Sequence, residues 1–509
     1  MAGIEYTGKS VPYGVIANNG GLNSTASPLN VQDNESTDCQ NVDFDIFGSV
    51  LKRNGYATLN SSAFNSGAAW NSLYWFEFGS GPTQYLIGTC GNKLAKMDDL
   101  DGTWDDITGA LTVTAGNNNH VSWATHLDNA LGTNGVDVPF LWTGTGNGAA
   151  MTVPTGLTTA KFVAIFANYT FLAHVTVSGT VHPSRLYWSA IDSISSWGSS
   201  DFRDVSKNDG QHITGIKALG SSLVIYKTKS IWVAQFTGDS DVPFIFSKTP
   251  SHVGCDSGHS IQEVSNGHIF HSQDGFYFFD GANSTKISDR ITTTLETFGK
   301  NRFPNIISAF QKEKNRYWSS FTLSGGSTHN RCITWDSVNN AFSLYKGHNA
   351  NCYAVVTVSG AERIYFGDYA GYVYRADTTT NDNPLGVATA IDGYYYTKWF
   401  NFGDLVDQKG VPHVTIYFQY TNATLTFAYS YDFESEDQYS QSFSTNAGSS
   451  VYGTAVYGTD TYAGAGGGVT RRDLTGRGHV VRLKFQNNTT SETFRVDGFG
   501  MLPHLEAVV

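Results

Sequence analysis

Positive charge is scarce in this sequence. Its 509 residues include 32 Lys and Arg against 44 Asp and Glu, which gives a formal net charge of -12. A protein that holds nucleic acid or an anionic membrane tightly needs a basic surface that releases counterions from the phosphates. The charge balance therefore argues against a tight nucleic-acid binder.

Sulfur-containing residues are also rare, with 5 Cys and 4 Met. The cysteines are odd in number, far apart and without a CxxC pair, so they fit neither a disulfide framework nor a thiolate zinc site. We predict that they are buried, reduced thiols that pack as small apolar side chains. These residues are Cys39, Cys90, Cys255, Cys332 and Cys352.

Long apolar runs are missing as well. No window reaches the ~18 consecutive apolar residues that a membrane-spanning helix needs. The first residues carry Glu5 and lack the apolar stretch of a secretory signal. We therefore predict no membrane insertion, and synthesis and assembly in the cytosol.

Aromatic residues and glycine are abundant instead. Aromatics make up 14% of the chain, nearly as much as the 15% of charged residues, and there are 54 Gly. This composition is typical of many short strands joined by tight turns. We predict an all-β protein.

A repeated unit occupies the middle of the chain, in which an apolar strand, a small-residue turn and an aromatic-rich strand follow one another. The turns lie at Gly91, Gly135, Gly179, Thr228, Gly275, Gly325 and Gly371. Their spacing, about 44 to 50 residues, is close to that of four-stranded propeller blades. We predict a β-propeller of about seven blades over residues 66–385. A series of β-sandwiches with irregular hairpins is the alternative.

Two other regions flank the repeats. Residues 1–65 are polar with isolated apolar residues, which predicts an extended arm that docks on other elements rather than a domain. Its candidate assembly residues are Leu22, Leu29, Phe44 and Arg53, and Ile46 is a further apolar anchor. Alternating runs within 386–509 predict a C-terminal β-sandwich, interrupted by a Gly-rich loop over 440–470.

Candidate chemistry is weak. His268 and His271 stand three apart in a predicted strand, where their side chains face opposite sides, so we predict no metal site there. The acidic run 98–106 could bind calcium, but a solvated turn is the favoured interpretation. Asp274 and Gly275 predict an ordinary hairpin turn. No pair of carboxylates stands out for glycoside hydrolysis, and we predict no enzyme activity and no cofactor.

Short motifs in the arm resemble a known family. They are GGLN at 20–23, SPL at 27–29, DCQNVDFDIFG at 38–48 and KRNGY at 52–56. Similar segments precede a propeller in the tail and packaged-DNA stabilisation proteins of tailed bacteriophages. Residues 368–375, Trp399, Phe400 and 471–483 resemble the propeller exit and terminal sandwich of the same family.

This resemblance implies a structural virion protein. Its members form a tail nozzle or head-to-tail completion ring, six-fold in short-tailed phages, around the channel through which DNA leaves. The implied partners are further copies of this chain, a portal-side adaptor, and tail fibre or spike proteins. The implied location is the virion tail, after synthesis in the host cytoplasm. No catalytic residue transfers with the resemblance.

The charge of the chain adds an independent expectation. An acidic channel wall repels duplex DNA, so a genome passes without sticking. Candidate channel-facing residues are Asp432, Glu434, Glu436 and Asp437, which follow a predicted strand. A solvated turn on the outer surface is the alternative for this run.

A rival function is a propeller of the tail adsorption apparatus that binds or cleaves glycan. Exposed aromatic side chains would serve it as platforms on which sugars stack. The two functions differ in assembly, because a glycosidase can act as a monomer whereas a nozzle must form a ring.

Overall fold

The computed structural model describes residues 12–15, 17–79, 83–446 and 467–505. The described part is built almost wholly of short strands, so the predicted all-β class is confirmed. Its α-helix is α1 (Thr292–Leu295). Single 3-10 turns lie at Phe64–Gly67, Lys207–Asp209, Gly258–Ser260, Asp289–Ile291, Lys300–Asn305 and Pro384–Gly386.

Seven short strands precede the repeated units. They are β1 (Tyr13–Val15), β2 (Gly21–Leu22), β3 (Glu35–Ser36), β4 (Asp38–Gln40), β5 (Val42–Phe44), β6 (Val50–Lys52) and β7 (Tyr56–Thr58). Strands β2 and β3 form a small two-stranded sheet, and the other five join sheets formed by later parts of the chain. The segment is therefore not a domain with a sheet core of its own.

The repeated units follow, with four strands in each except the last. They are β8–β11 (Trp70–Phe78, Thr83–Cys90, Lys93–Asp98, Asp105–Asp106), β12–β15 (Ser122–His126, Asn129–Thr133, Phe140–Trp142, Ala149–Ala150), β16–β19 (Leu157–Phe166, Tyr169–Val177, Thr180–Trp188, Phe202–Asp204), β20–β23 (Ile213–Leu219, Ser222–Lys227, Ile231–Phe236, Phe244–Lys248), β24–β27 (Gln262–Val264, Gly267–Ser272, Gly275–Phe279, Ser284–Lys286), β28–β31 (Ile307–Gln311, Arg316–Phe321, Arg331–Asp336, Ala341–Lys346) and β32–β34 (Cys352–Val358, Ala361–Gly367, Val373–Ala376).

Nine strands complete the chain. They are β35 (Gly393–Tyr396), β36 (Lys409–Gly410), β37 (His413–Gln419), β38 (Thr424–Tyr431), β39 (Tyr439–Ser444), β40 (Gly467–Asp473), β41 (Val481–Asn487), β42 (Arg495–Met501) and β43 (His504–Leu505). Strands β39 and β40 take up the two ends of the predicted Gly-rich loop, and residues 447–466 lie outside the described residues.

The sheets repeat one pattern. Units one to five are four-stranded antiparallel meanders, and β32–β34 form a sixth such sheet with the arm strand β7 at the outer position. The sixth unit, β28–β31, opens a nine-stranded sheet that continues through β4, β35, β41, β38 and β39. Each predicted turn joins the second and third strands of its unit. The repeats are thus propeller-like, as predicted.

The first strands of all seven units line one central cavity of about 440 Å³. Between neighbouring units, the inward side chains of adjacent sheets form apolar clusters. In one of them Phe76 of the first unit packs its ring 5.7 Å from that of Trp142 in the second, and both are fully buried. Such burial stabilises by about 25 cal/mol per Å² of apolar surface. The five cysteines are buried free thiols, as predicted.

The six-stranded sheet and the nine-stranded sheet share one apolar core. The six-stranded sheet runs β40, β37, β42, β6, β5, with β1 also paired to β42. Its Phe499 packs 5.9 Å from Phe485 of the nine-stranded sheet. The same apolar cluster contains Leu22 and Phe44 of the arm and Phe342 of the sixth unit. The core is therefore continuous across the predicted boundaries near residues 65 and 385.

Candidate assembly site

The arm residues predicted to dock do so to different degrees. Leu22 and Phe44 are buried in the shared core, and Arg53 is buried as well. Leu29 is only half-buried. Ile46 lies in the β5–β6 turn and is 63% exposed, so it does not anchor the arm within this chain.

Arg53 is the centre of the arm's polar contacts. Its Nη1 and Nη2 donate to Oδ1 and Oδ2 of Asp382 at 2.8 and 2.7 Å. Its Nε donates to Asn41 at 2.9 Å, and the remaining N–H groups reach the carbonyl oxygens of Asn54 and Lys346 at 3.0 and 3.1 Å. All five guanidinium N–H groups are therefore used. Burial alone would lower the pKa of Arg53, but Asp382 outweighs it and the pKa is raised.

A second buried ion pair lies close by. Asp43 of the arm accepts from Arg316 Nη1 at 2.9 Å and from the hydroxyl of Tyr345. Arg316 and Tyr345 belong to the sixth unit, and the Arg53 guanidinium lies 5.2 Å from the Tyr345 ring. Removing a charge from water is costly unless its partner and hydrogen bonds are in place. The two pairs together therefore fix the arm against the sixth unit and against the segment that follows the seventh.

Two arm glycines allow close backbone approach. A Cβ on Gly55 would lie 1.7 Å from the Asn381 carbonyl oxygen, which no rearrangement of a side chain relieves. Gly21 has a φ of +78°, and a Cβ there would lie 2.6 Å from the Phe342 backbone nitrogen. Only glycine fits both positions without strain.

Lys52 is the first residue of the KRNGY motif, but the sequence does not show what it contacts. Its buried Nζ donates to Asn487 Oδ1 at 2.7 Å and to the Glu492 carbonyl oxygen at 3.0 Å. Burial lowers its pKa to about 8, with Glu492 opposing the change. The lysine thereby ties the arm to the loop after β41. A buried lysine among polar anchors carries no local sequence signal.

The acidic run 432–437 lies on the surface, after β38. Asp432 accepts from the backbone N–H groups of His479 and Val480 at 2.6 and 3.3 Å, which fastens the turn. Asp437 pairs with Lys484 at 2.8 Å. These two carboxylates hold local structure.

Glu434 and Glu436 differ from those two carboxylates. Both are exposed, and within the described residues only their main-chain atoms make hydrogen bonds. Their charges are therefore free to act on something outside the chain.

The two candidate histidines are ordinary core residues. His268 contacts the Tyr226 hydroxyl through Nδ1 and the Ala218 carbonyl oxygen through Nε2, both at 3.0 Å. His271 lies 3.4 Å from Asp256, and Phe303 packs against its ring. Burial lowers the pKa of both imidazoles. The described residues contain no group of three or more His, Cys, Asp or Glu side chains placed to hold a metal ion.

The run 98–106 is tied to lysines of its own sheet. Lys96 pairs with Asp98 and Lys93 with Asp106, both at 2.7 Å. Nearby ammonium groups thus already neutralise part of the acidic run.

Asp274 accepts from the Tyr277 hydroxyl at 3.0 Å within its hairpin.

Comparison with known proteins assigns no family. The sequence matches no family model and no curated protein. Among solved structures it is similar to the computationally designed protein Ika8, at 12% identity and a TM-score of 0.37, over 63% of this chain and 100% of that one. It is also similar to a chain of a mitotic checkpoint complex, at 8% identity and a TM-score of 0.39, over 63% of this chain and 96% of that one. Within the described residues, no helix has the length and apolarity to cross a bilayer.

We predict that Asp382→Asn destabilises the protein by about 3–5 kcal/mol, because it leaves Arg53 buried without its counter-charge. Urea unfolding measures this as a lower midpoint. The control is Asp106→Asn, which breaks the exposed Lys93 pair and should cost less than about 1 kcal/mol. Equal losses of stability in the two variants would show that the buried Arg53–Asp382 pair contributes no more than an exposed ion pair.

We predict that stability falls as pH drops from about 6.5 to 4. Burial lowers the pKa of His120 to about 4 and of His268 and His329 to about 3. The unfolded chain therefore binds more protons in this range, and each group removes up to about 1.4 kcal/mol per pH unit. In His268→Gln, the unfolding free energy obtained from thermal unfolding should depend less on pH, by an amount that corresponds to about one proton. An unchanged pH dependence would contradict the assignment.

Proposed function

We propose that this chain is a non-enzymatic structural protein of a bacteriophage virion. It forms a tail nozzle or head-to-tail completion ring, in which identical copies surround the DNA exit channel and help to retain the packaged genome. Its proposed architecture is a seven-bladed propeller with an N-terminal arm and a C-terminal β-sandwich. It is made in the host cytoplasm and resides in the virion tail.

One observation carries the proposal. The arm residues on which the resemblance rests are those whose contacts hold the arm in place. Gly21, Asp43, Arg53 and Gly55 belong to the motifs GGLN, QNVDFD and KRNGY, and each makes a buried ion pair or a close backbone approach. The motifs therefore have a structural reason to occur together, which supports an arm-and-propeller architecture of the same kind.

The arrangement of strands supports seven blades. All seven first strands line one cavity, and β7 from before the first unit supplies the outer strand of the last. Joining the two ends of the repeat series in one sheet is a way to close a ring with little exposed edge. The shared core of the six-stranded and nine-stranded sheets supports a C-terminal sandwich.

The β5–β6 turn is the best candidate for contact between copies. Phe47 at its tip is 77% exposed beside Ile46. The Asp45 carboxylate accepts from the N–H groups of Phe47 and Ser49, both at 2.9 Å, and pairs with Arg495. A rigid turn that presents apolar side chains loses little entropy when it binds. We propose that this turn packs on a neighbouring copy in a ring that is six-fold by family resemblance.

The remaining partners follow from the resemblance. We propose that the ring docks on a portal-side adaptor and carries tail fibre or spike proteins, and that DNA passes without specific binding. The net charge of -12 supports this passage. Glu434 and Glu436 are the proposed channel-facing residues of the acidic run, since Asp432 and Asp437 serve the turn itself.

The rival function is a glycan-binding or glycan-cleaving propeller of the adsorption apparatus. Its chemistry would use stacking on aromatic rings and a pair of carboxylates. Such a protein would sit at the periphery of the tail and would not need ring assembly. The assembly experiment below therefore separates the two functions.

We predict that Phe47→Glu prevents ring formation and leaves the thermal stability of the monomer within about 1 °C, because an exposed turn residue contributes little to folding. Sedimentation velocity measures the assembly. Val338→Glu is the matched control, since Val338 is 58% exposed in a turn where Asp336 Oδ1 accepts from its N–H at 2.8 Å. Normal rings from Phe47→Glu would exclude this turn from the interface.

We predict that Glu434→Lys with Glu436→Lys slows genome ejection, because the new ammonium groups attract phosphates in the channel. The delay should shrink as salt rises, since the contacts are electrostatic. Asp239→Lys with Asp241→Lys makes the same charge change on an exposed loop of the fourth unit and should eject normally. Ejection at the wild-type rate in low salt would remove residues 434–436 from the channel wall.

A further inference from the structure

A second cavity adjoins the central one. It has a volume of about 480 Å³, and Gly258 and His259 belong to the walls of both cavities. We call it the basic pocket and define it by Lys161, His212, Thr214, His259 and Lys300. These side chains come from the third unit, the fourth unit and three connecting segments, so the pocket depends on the assembled units rather than on one loop.

Lys161 distinguishes this pocket from the other half-buried or buried lysine sites. Lys227 pairs with Asp209 at 2.7 Å, and Lys52 and Lys409 donate to several oxygen atoms. The Lys161 ammonium has no hydrogen bond or ion pair within the part of the chain that the structure describes; its Nζ lies 5.5 Å from the centre of the Phe162 ring, and burial lowers its pKa. A half-buried ammonium without a counter-charge is costly, and an anion would remove that cost.

Two histidines, His212 and His259, line the pocket together with Lys161. The His174 ring lies 5.8 Å from that of His212. The His120 ring lies 5.4 Å from that of His259. Two imidazoles and one ammonium thus line the pocket, with two more imidazoles behind them, and each neutral imidazole can donate one hydrogen bond.

Among the residues that the structure describes, two buried polar atoms in this region make no hydrogen bond. Thr214 Oγ1 lines the pocket, and its residue is 5% exposed. His120 lines the central cavity instead and is 6% exposed, and its Nε2 has no partner there either. Since buried polar groups are nearly always hydrogen-bonded, Thr214 Oγ1 is a candidate contact for a ligand that accepts hydrogen bonds.

One carboxylate in the basic pocket would repel a bound anion. Asp256 lines the pocket, and its Oδ2 lies 3.4 Å from His271 Nδ1. Lys161 and Lys300 together outweigh this single negative charge. Residues that carry hydroxyl, amide and ammonium donors line the pocket from different elements: Thr214, Thr228, Gln273 and Lys161. A tetrahedral anion with several acceptor oxygens fits that arrangement better than a planar carboxylate with two.

We propose that the basic pocket binds a phosphate-type oxyanion, held by the Lys161 ammonium with hydrogen bonds from Thr214 and from the imidazoles of His212 and His259. This site is separate from the β5–β6 turn and from the acidic run. It therefore stands or fails independently of the proposed function.

The test is isothermal titration calorimetry, in which inorganic phosphate is added to the full-length protein at constant ionic strength. Wild type should bind saturably, and Lys161→Met should weaken binding by about tenfold or more, since it removes a charge-assisted contact. Lys248→Met is the control, because it removes the same charge from an exposed position of the fourth unit and should bind phosphate normally.

A second pocket variant and a second anion test the same site. Thr214→Val changes the hydroxyl to a methyl of similar size and should weaken binding by about fivefold; it decides the matter if Lys161→Met fails to fold. Sodium acetate should compete poorly. Absence of saturable phosphate binding by wild type, unchanged binding by both pocket variants, or acetate binding as tightly as phosphate would overturn the proposal.

Discussion

The bidentate pair between Arg53 and Asp382 is the contact on which the arrangement of this chain depends. Its two charged groups stand 329 positions apart in the sequence and are almost fully buried, with side-chain exposures of 2% and 9%. Desolvating both charges is repaid only when each N–H finds its acceptor, so the pair tolerates one geometry. That geometry brings the end of the arm against the segment that follows the last repeated unit.

Three sheets are joined as a consequence. Strand β4 lies between β31 of the sixth unit and β35, while β6 pairs with β42 and β7 completes the seventh unit. The arm thus enters the repeated units and both terminal sheets within 20 residues of chain. Lys52 adds a contact to the loop after β41. Relative movement of the units and the terminal sheets would have to break strand pairing as well as two buried ion pairs.

The sequence could predict the parts of this structure that are local. Alternating apolar residues and Gly, Asn or Asp turns are encoded within a few residues, which is why the turn at Gly91 could be predicted in place. The partners of β4 and β7 could not be predicted, because pairing across 300 residues leaves no local signal. The same holds for Asp382, and for the convergence of Lys161 with histidines from other units.

Surfaces available for partners lie on different elements. The β5–β6 turn presents Ile46 and Phe47, the turn after β38 presents Glu434 and Glu436, and the basic pocket lies beside the propeller-like units. A protein that acts as part of a ring needs several such surfaces, since neighbouring copies, axial partners and passing DNA each require their own. A monomeric glycan-binding protein would need only one.

The central claim, that copies of this chain form a ring on the tail axis, is tested most directly by electron microscopy of the virion with the protein labelled by an antibody fragment. The account predicts label in a ring at the tail axis, between the portal side and the tip. Label on peripheral spikes, or its absence from the tail, would contradict it.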